Sequence, residues 1–486
     1  MSAPIAGAGA TALLDAQEAV LLFFLAVNAF LGVLLASSAL EMRRHRLDVW
    51  HELRDRLLGS SIAPRISMLA PAHNEALTVT DSLRSLLSLR YPDLEVVLVN
   101  DGSADATLDV LKRDFELVSV RPIYRRRVPS EAVTGIYRSR TNPGLVVVDK
   151  HNGGKADALN AGLDIASGEL VCAIDADTII DSDALLRMVR PFLIDEKVIA
   201  AGGTIRVANG AQVHNGRVVT AHAPRRLLAG LQAVEYLRAF LTGRLGWNRL
   251  GGNLIISGAF GMFRRDLTIE AGGYEHATVG EDMELVARLR RLAIERGAPD
   301  TVVFIPDPVA WTEVPESARV LARQRDRWHR GLADVLWRHR RALMNPRYRS
   351  LGLVALPYFT FIELLGPVVE AVGLIGLAVG FALGAINGSF AVLFFLLAYG
   401  LGLIMTVLTL ALDECNYRAY GGLRERLRLL AFAVIEPLGY RQLTVIWRLR
   451  GLVRYVRGQT DWGVMTRAGF APAEHAGDEP GLPGAV

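Results

Sequence analysis

The feature that most constrains the fold is an uncharged apolar stretch at residues 19–40. About 20 apolar residues are enough for a helix to cross a bilayer. Arg43, Arg44 and Arg46 follow the stretch, whereas Asp15 and Glu18 precede it. A secretory signal peptide is the competing interpretation, but no Lys or Arg precedes the apolar stretch. The positive-inside rule then predicts an N-terminus outside and a chain that continues in the cytoplasm.

Apolar composition returns after residue 350, and residues 366–383 and 390–411 are two further predicted spans. Glu370 lies in the first of them and requires a cavity or a polar partner. Residues 351–366 and 429–447 are predicted to be interfacial or re-entrant helices, because prolines and charges interrupt them. The predicted divisions are a transmembrane helix at 1–46, a cytoplasmic domain at 47–348, membrane and interfacial helices at 349–460, and a tail at 461–486 that ends disordered.

Composition excludes several classes of protein. The net charge of +4 gives no strong field for nucleic acid, and none is predicted as a partner. Two cysteines, Cys172 and Cys415, cannot form a disulfide framework or a thiolate zinc site.

The segment between the predicted spans has the pattern of an α/β domain. Short apolar runs at 66–70, 94–100, 144–150 and 169–175 alternate with helical patterns. This alternation predicts a mainly parallel sheet with helices on both faces. Residues 121–143 break the rhythm and are predicted to form a surface loop or insertion.

Polar loops follow the first strands, where ligands bind in open parallel sheets. PAHNEA at 71–76 contains Ala72, Asn74 and Glu75, and NDGSADAT at 100–107 contains Asp101. Ordinary helix caps explain each loop about equally well. NGGKADALNAG at 152–162 opens a helix with glycines, so Lys155 is a candidate for a diphosphate contact. A turn with a solvated lysine is the alternative.

Two carboxylates end the strand at 169–175. Asp175 and Asp177 share one side of an extended segment. Their mutual repulsion is relieved by a hard divalent cation that also binds a nucleotide diphosphate. Helix capping is again the alternative, and it is the interpretation we favour for Asp181 and Asp183.

Two helical motifs complete the set. Glu281 and Asp282 begin an amphipathic helix, where the helix dipole alone favours acidic residues. A general base that removes a proton from an attacking hydroxyl is the functional interpretation of this pair. QRDRWHRGL at 324–332 contains Gln324, Arg327 and Trp328 within about one turn. A membrane-surface helix explains the Arg and Trp residues but not the order of the motifs.

In this order, PAHNEA, DGS, GGKADALN, DAD, ED and QRDRW resemble the processive, membrane-embedded family 2 glycosyltransferases, which include cellulose, hyaluronan and poly-N-acetylglucosamine synthases. The resemblance covers residues 64–348 and implies a GT-A nucleotide-sugar domain. It implies that Asp101 contacts uridine, that Lys155 and Asp175 lie at the diphosphate, and that Asp177 binds Mg²⁺ or Mn²⁺. Asp175 is a second candidate metal ligand.

The resemblance also assigns the acceptor side. Asp282 is the expected base, with Glu281, Ser257 and Gly258 beside the acceptor. Gln324, Arg327 and Trp328 are expected to shape the donor and acceptor site. Arg450 and Arg454 have the spacing of a motif from a regulatory module, but no such module follows them here, and we interpret the pair as membrane-surface charge.

The expected function is an inverting polymerisation of a UDP-activated hexose or N-acetylhexosamine into a β-linked polysaccharide. The expected partners are the UDP-sugar, the growing polysaccharide and the bilayer of the cytoplasmic membrane, while a secretion or accessory protein stays open. One alternative is transfer of a single sugar to a lipid carrier. The other is a non-enzymatic scaffold or transporter with a degenerate domain.

Overall fold

The computed structural model describes residues 3–47, 63–121, 123–175, 178–214, 217–417 and 420–459. Asp177 and the tail at 461–486 lie outside the described residues, and so do residues 48–62 at the start of the predicted cytoplasmic domain.

A ten-stranded sheet forms the centre of the molecule, with the strand order β3-β4-β5-β2-β1-β6-β11-β8-β12-β7. Its strands are β1 (Ile66–Ala72), β2 (Leu94–Asp101), β3 (Leu117–Val120), β4 (Val133–Ser139), β5 (Leu145–Lys150), β6 (Leu170–Ile174), β7 (Ile179–Ile180), β8 (Val198–Val207), β11 (Phe260–Arg264) and β12 (Thr301–Thr312). A separate hairpin contains β9 (Gln212–His214) and β10 (Arg217–Thr220).

The sheet confirms the predicted mainly parallel α/β fold. The four strands predicted from sequence, β1, β2, β5 and β6, are adjacent and parallel. Strands β4, β7 and β11 pair antiparallel with their neighbours, so seven of the ten strands run in one direction. The carboxyl ends of the four central strands therefore meet at one edge.

The prediction of a surface loop at 121–143 is wrong in part. Residues 133–139 form β4, which pairs antiparallel with both β5 and β3. The strand is only partly buried, which explains why it lacks the continuous apolar run of the central strands.

Helices cover both faces of the sheet. They are α2 (Val79–Leu87), α3 (Thr107–Asp114), α4 (Lys155–Ile165), α5 (Ala184–Ile194), α6 (Leu227–Leu237), α7 (Trp247–Leu250), α8 (Arg265–Glu270), α9 (Glu281–Glu295) and α10 (Ala318–Arg338). Along β1, Ile66 and Met68 belong to one buried cluster, whereas Leu69 belongs to the other. This alternation is the expected result when a strand is buried on both faces.

Among the described residues, three helices are long and apolar enough to cross a membrane. The first lies within α1 (Ala3–Leu47), and the others are α11 (Leu351–Ala382) and α12 (Gly388–Asn416). Two further helices, α13 (Leu423–Ile435) and α14 (Tyr440–Val456), are bent by 58° at a short break. Residues 351–366 continue into α11 through two π-helical segments, so they are not a helix separate from the span that follows. Their interfacial or re-entrant character stays a prediction.

Two charged residues of the membrane region have partners in the structure. Glu370 is buried in α11, and Arg441 of α14 donates to both of its carboxylate oxygens at 3.0 and 3.1 Å. The predicted need for a polar partner is thereby met. Arg454 of α14 donates to Asp326 at 3.0 Å, so the interpretation of Arg454 as membrane-surface charge is wrong.

Candidate functional site

The loops after β1 and β2 are bound to each other at the carboxyl edge of the sheet. The Asn74 amide donates to Ser103 Oγ at 2.9 Å, and the Ala104 amide donates to Asn74 Oδ1 at 2.8 Å. The Glu75 amide donates to Thr107 Oγ1 at 2.9 Å, while Ala72 ends β1 and is buried. Hydrogen bonds therefore join PAHNEA and NDGSADAT into one surface at the carboxyl edge of the sheet, and the Asn74 side chain accepts one of these bonds.

Asp101 ends β2 and is buried under the glycine loop. Its carboxylate accepts from the amides of Gly153 and Gly154 at 3.0 and 2.8 Å and from Lys150 Nζ at 2.5 Å. Gly102 has a positive φ of 59°, and a Cβ there would lie 2.5 Å from the Asn152 amide nitrogen. Asp101 thus holds the glycine loop in place, and its predicted contact with uridine stays a prediction.

Lys150 is a site residue that sequence reasoning missed. Its side chain is fully buried, and Nζ forms ion pairs with Asp101 at 2.5 Å and Asp157 at 2.6 Å. The available signal was its position at the end of a predicted strand in a chain with only four lysines. A buried ammonium between two carboxylates fixes the strand end relative to helix α4.

Lys155 opens α4 and lies between two of the predicted acidic residues. Its Nζ is 2.6 Å from Asp175 Oδ1 and 3.3 Å from Glu281 Oε1. The three residues come from α4, the end of β6 and the start of α9, which are distant in sequence. The Lys155 and Asp175 side chains are 24% and 30% exposed, so this ion pair faces the solvent side of the sheet edge.

Asp282 lies beside this cluster. Its Oδ2 accepts from the Gly258 amide at 3.0 Å, and Oδ1 accepts from its neighbour Met283 at 2.8 Å. A Cβ on Gly258 would lie 3.2 Å from Lys155 Nζ and 3.5 Å from Asp282 Oδ2. Gly258 therefore lies against both the ammonium and the predicted base, and a side chain at this position would crowd Lys155.

Burial and charge act in opposite directions in this cluster. Burial opposes the charge of Lys155, but the carboxylates of Asp175 and Glu281 raise the pKa of its ammonium well above the usual value. Burial raises the pKa of the Glu281 carboxyl, while Lys155 acts to lower it. The ammonium therefore stays charged, as a group that meets a diphosphate must.

The helix that carries QRDRW packs against the start of α9. A Cβ on Gly331 of α10 would lie 3.1 Å from the Gly280 amide nitrogen, one residue before Glu281. Gln324 and Trp328 lie on the same side of α10 as Gly331, by the i, i+4, i+7 spacing. Gln324 is buried, and its Oε1 accepts no hydrogen bond from the described residues. Trp328 is 43% exposed, and Arg327 lies between these two positions in sequence at intermediate burial.

Arg244 is a second residue that the sequence analysis missed. It ends the π-helical segment Arg238–Arg244, and its guanidinium lies 4.1 Å from the centre of the Phe240 ring. Burial lowers its pKa to about 10, while the Asp282 carboxylate acts to raise it. Its Nη1 has no hydrogen-bond partner in the described part of the chain. No sequence motif marks this position.

The donor set for a metal ion is described only in part. No group of three or more candidate ligands occurs among the described residues, which exclude Asp177. Asp175 is described and presents a partly exposed carboxylate at the sheet edge. Carboxylate oxygens are the ligands that Mg²⁺ and Mn²⁺ prefer, so the chemistry of the pair fits such an ion.

The fold and the site together define a GT-A domain, with its polar cluster at the carboxyl ends of parallel strands. The Glycosyl transferase family 2 model matches residues 67–271, and the Glycosyl transferase family group 2 model matches residues 170–411. The chain belongs to the family 2 glycosyltransferases. The predicted family and the predicted GT-A fold are thereby confirmed.

Similar proteins include synthases of a bacterial polysaccharide. The chain is 30% identical over 274 residues to a poly-β-1,6-N-acetyl-D-glucosamine synthase of Staphylococcus epidermidis and 28% identical to one of Staphylococcus aureus strain COL. Each match covers 56% of this chain and 56% of the relative, so it spans little more than half of either protein.

Among solved structures, a mannosyltransferase of Pyrobaculum calidifontis in complex with GDP-mannose and Mn²⁺ is 20% identical, with a TM-score of 0.49. That match covers 87% of this chain and 99% of the mannosyltransferase.

Proposed function

We propose that this protein is a processive, inverting glycosyltransferase that polymerises a UDP-activated N-acetylhexosamine into a β-linked polysaccharide. The observation that carries the proposal is the cluster of Lys155, Asp175, Glu281 and Asp282, which collects charged residues of three motifs at one sheet edge. The names of the staphylococcal relatives support N-acetylglucosamine as the sugar.

Each charged group has a role in this proposal. The Asp282 carboxylate removes the proton of the acceptor hydroxyl as that oxygen attacks C1 of the sugar. Lys155 and Arg327 neutralise the negative charge that develops on the departing UDP, which is a large term in such reactions. Attack from the face opposite to UDP converts an α-linked donor into a β-linked product.

The proposed metal site consists of Asp175 and Asp177, which would hold Mg²⁺ or Mn²⁺. A bound divalent ion supplies Lewis-acid neutralisation of the diphosphate. Lys155 pairs with Asp175 at 2.6 Å and so places a positive group at the same edge.

Acceptor positioning falls to Ser257, Gly258, Glu281 and the QRDRW motif. Because Gly258 has no side chain, a sugar can approach the backbone there. The exposed Trp328 ring offers a flat apolar surface for stacking. Asp101, Ala72, Asn74 and Glu75 form or support the floor of the donor side.

The membrane helices have a function in the same proposal. A polar polymer cannot cross hydrocarbon without a protein-lined path. We assign the chain to the cytoplasmic membrane as a multi-pass protein, with its N-terminus outside and both the catalytic domain and the C-terminus in the cytoplasm. The basic residues after the first apolar stretch support this orientation.

The test is UDP release by the purified full chain in nanodiscs, with UDP-N-acetylglucosamine, UDP-glucose, UDP-galactose and UDP-glucuronate offered singly and in pairs. Asp282→Asn is expected to lower kcat by at least about 100-fold while UDP still binds, because only proton removal is lost. Asp266→Asn removes an acid whose side chain is 93% exposed and serves as the matched control.

The products distinguish the candidate functions. Metal-dependent release of UDP with a long product from UDP-N-acetylglucosamine supports the proposal. Short lipid-linked products would instead establish transfer of a single sugar. Retained turnover in Asp282→Asn would refute the assignment of the base.

A further inference from the structure

A basic cavity of about 390 Å³ lies away from the proposed active site, where the C-terminal ends of α9 and α10 meet. Its lining consists of Arg291, Glu295, Arg338, His339, Arg340, Arg341, Ala342 and Tyr348. Tyr348 is three residues before Leu351, where the span-length helix α11 begins. The cavity thus lies between the two helices that carry the predicted catalytic motifs and the start of a predicted membrane span.

The lining carries an excess of positive charge. Glu295 is the only carboxylate among the described residues that line the cavity, and it already accepts from the Tyr348 hydroxyl at 2.9 Å and lies 3.6 Å from Arg291. Arg338 pairs with Asp334 at 2.9 Å. After these pairs are counted, the positive charge of the lining is not neutralised.

Arg340 and Arg341 supply that excess. Arg340 donates to the Trp337 carbonyl oxygen at 2.8 Å, and its guanidinium lies 4.4 Å from the centre of the Trp337 ring. Within the described residues, neither arginine forms an ion pair with a carboxylate. Two guanidinium groups are therefore available to an anion that enters the cavity.

The surroundings have the character of a membrane surface. Trp337 is 61% exposed beside the cavity, and Met344 and Leu353 are also exposed. Exposed Trp is enriched at the headgroup level of bilayers. Arginines next to a membrane span attract anionic lipid, and Arg347 and Arg349 add two more exposed charges before α11.

We propose that this cavity binds the phosphate group of an anionic phospholipid from the adjacent leaflet. Guanidinium groups bind phosphate oxygens in a bidentate manner, and the volume falls in the range of small-molecule sites. The lipid headgroup contacts the C-terminal parts of both α9 and α10, and its α9 contact Arg291 lies about 14 Å along the helix from Asp282. Headgroup binding therefore stabilises the packing of α9, which carries the predicted base, against α10, which carries QRDRW.

Binding is tested without any sugar donor, so its outcome does not depend on the proposed function. The probes are dihexanoyl-phosphatidylglycerol and dihexanoyl-phosphatidylcholine below their micellar concentrations, titrated calorimetrically into the purified full chain. We expect saturable binding of the phosphatidylglycerol probe only. Arg340→Ala/Arg341→Ala should weaken it at least about tenfold, since two charge-assisted contacts are lost.

Two further pairs of substitutions test whether the cavity is the binding site. Arg43→Ala/Arg44→Ala removes the same charge from the exposed end of α1 and should leave probe binding unchanged. Arg340→Lys/Arg341→Lys keeps the charge without the guanidinium fork and should restore part of the affinity, with an unchanged thermal midpoint as a check on folding. Equal weakening by both alanine pairs, or no weakening by either, would overturn the site.

A further titration separates a lipid headgroup from free phosphate. Millimolar inorganic phosphate should fail to displace the phosphatidylglycerol probe, because the lipid also contacts apolar surface. Complete displacement would show that the cavity is a site for free phosphate and would overturn the lipid assignment. The effect of the headgroup on activity, through the packing of α9 against α10, rests on the proposed function. It predicts at least about threefold faster UDP release in nanodiscs with phosphatidylglycerol than in phosphatidylcholine alone.

Discussion

Asp326, in the middle of QRDRW, joins α10 to the last helix of the described chain. It is only 2% exposed, and three arginines surround it at graded distances. Arg454 lies at 3.0 Å, Arg330 at 3.2 Å and Arg450 at 3.9 Å. The structure therefore predicts that this carboxylate is one of the contacts through which α14 holds QRDRW in place.

The three contacts should contribute unequally. Asp326→Asn breaks the buried ion pair with Arg330, and breaking a buried pair costs about 3–5 kcal/mol. Arg454→Ala removes the charged hydrogen bond to Asp326, which contributes about 1.5–3 kcal/mol, while Asp326 keeps Arg330. Arg450 is 61% exposed, so Arg450→Ala should cost about 0–1 kcal/mol.

The assay is thermal unfolding of the purified protein in nanodiscs, followed by circular dichroism at one scan rate, together with kcat for UDP release. The thermal midpoint should fall most for Asp326→Asn, less for Arg454→Ala and least for Arg450→Ala. If QRDRW is displaced, kcat should decrease in the same order. Arg450→Ala is the matched control, because it removes the same charge one turn away on α14. Equal midpoints for the two arginine variants would refute the reasoning.

Two other predictions concern the same helix pair. A Cβ on Gly451 would lie 2.6 Å from the Asp326 carbonyl oxygen, so Gly451→Ala should destabilise the protein by about 1–3 kcal/mol. Gly421→Ala is the control and should not destabilise it, because no atom of the described residues lies within 4 Å of an added Cβ there. Equal thermal midpoints for the two variants would contradict the close approach of α14 to α10. Burial and the nearby Arg448 lower the pKa of His329 from 6.5 to about 3, so the unfolded chain takes up the proton first and stability should fall as the pH drops from 6.5 towards 3. His329→Gln should remove about 1.4 kcal/mol per pH unit from that slope in urea titrations, and an unchanged slope would exclude His329 as its source.

The sequence predicted those parts of the fold that depend on local pattern. The four central strands are continuous apolar runs, and the rule for parallel sheets places their carboxyl ends together. This reasoning brought Lys155 and Asp175 to one edge, where the structure has them 2.6 Å apart. Strand β4 was missed because a half-buried strand has a weaker apolar signal than a buried one.

Contacts between distant segments could not be predicted in the same way. The need of Glu370 for a partner was evident from its position in an apolar stretch, but nothing local indicated Arg441. The pairing of Asp326 with Arg454 joins residues 128 positions apart. Arg244 and Lys150 acquire their surroundings only when the π-helical segment and α4 pack against the sheet.

The pair between Glu370 and Arg441 has a consequence for how the protein is made. Glu370 leaves the ribosome 71 residues before its partner Arg441 does. An unpaired acidic residue at the centre of a span disfavours insertion by about 2.5–3.5 kcal/mol, so α11 is a weak span until Arg441 has been synthesised. The proposed span α11 therefore reaches its stable depth in the bilayer only after Arg441, at the start of α14, has been synthesised.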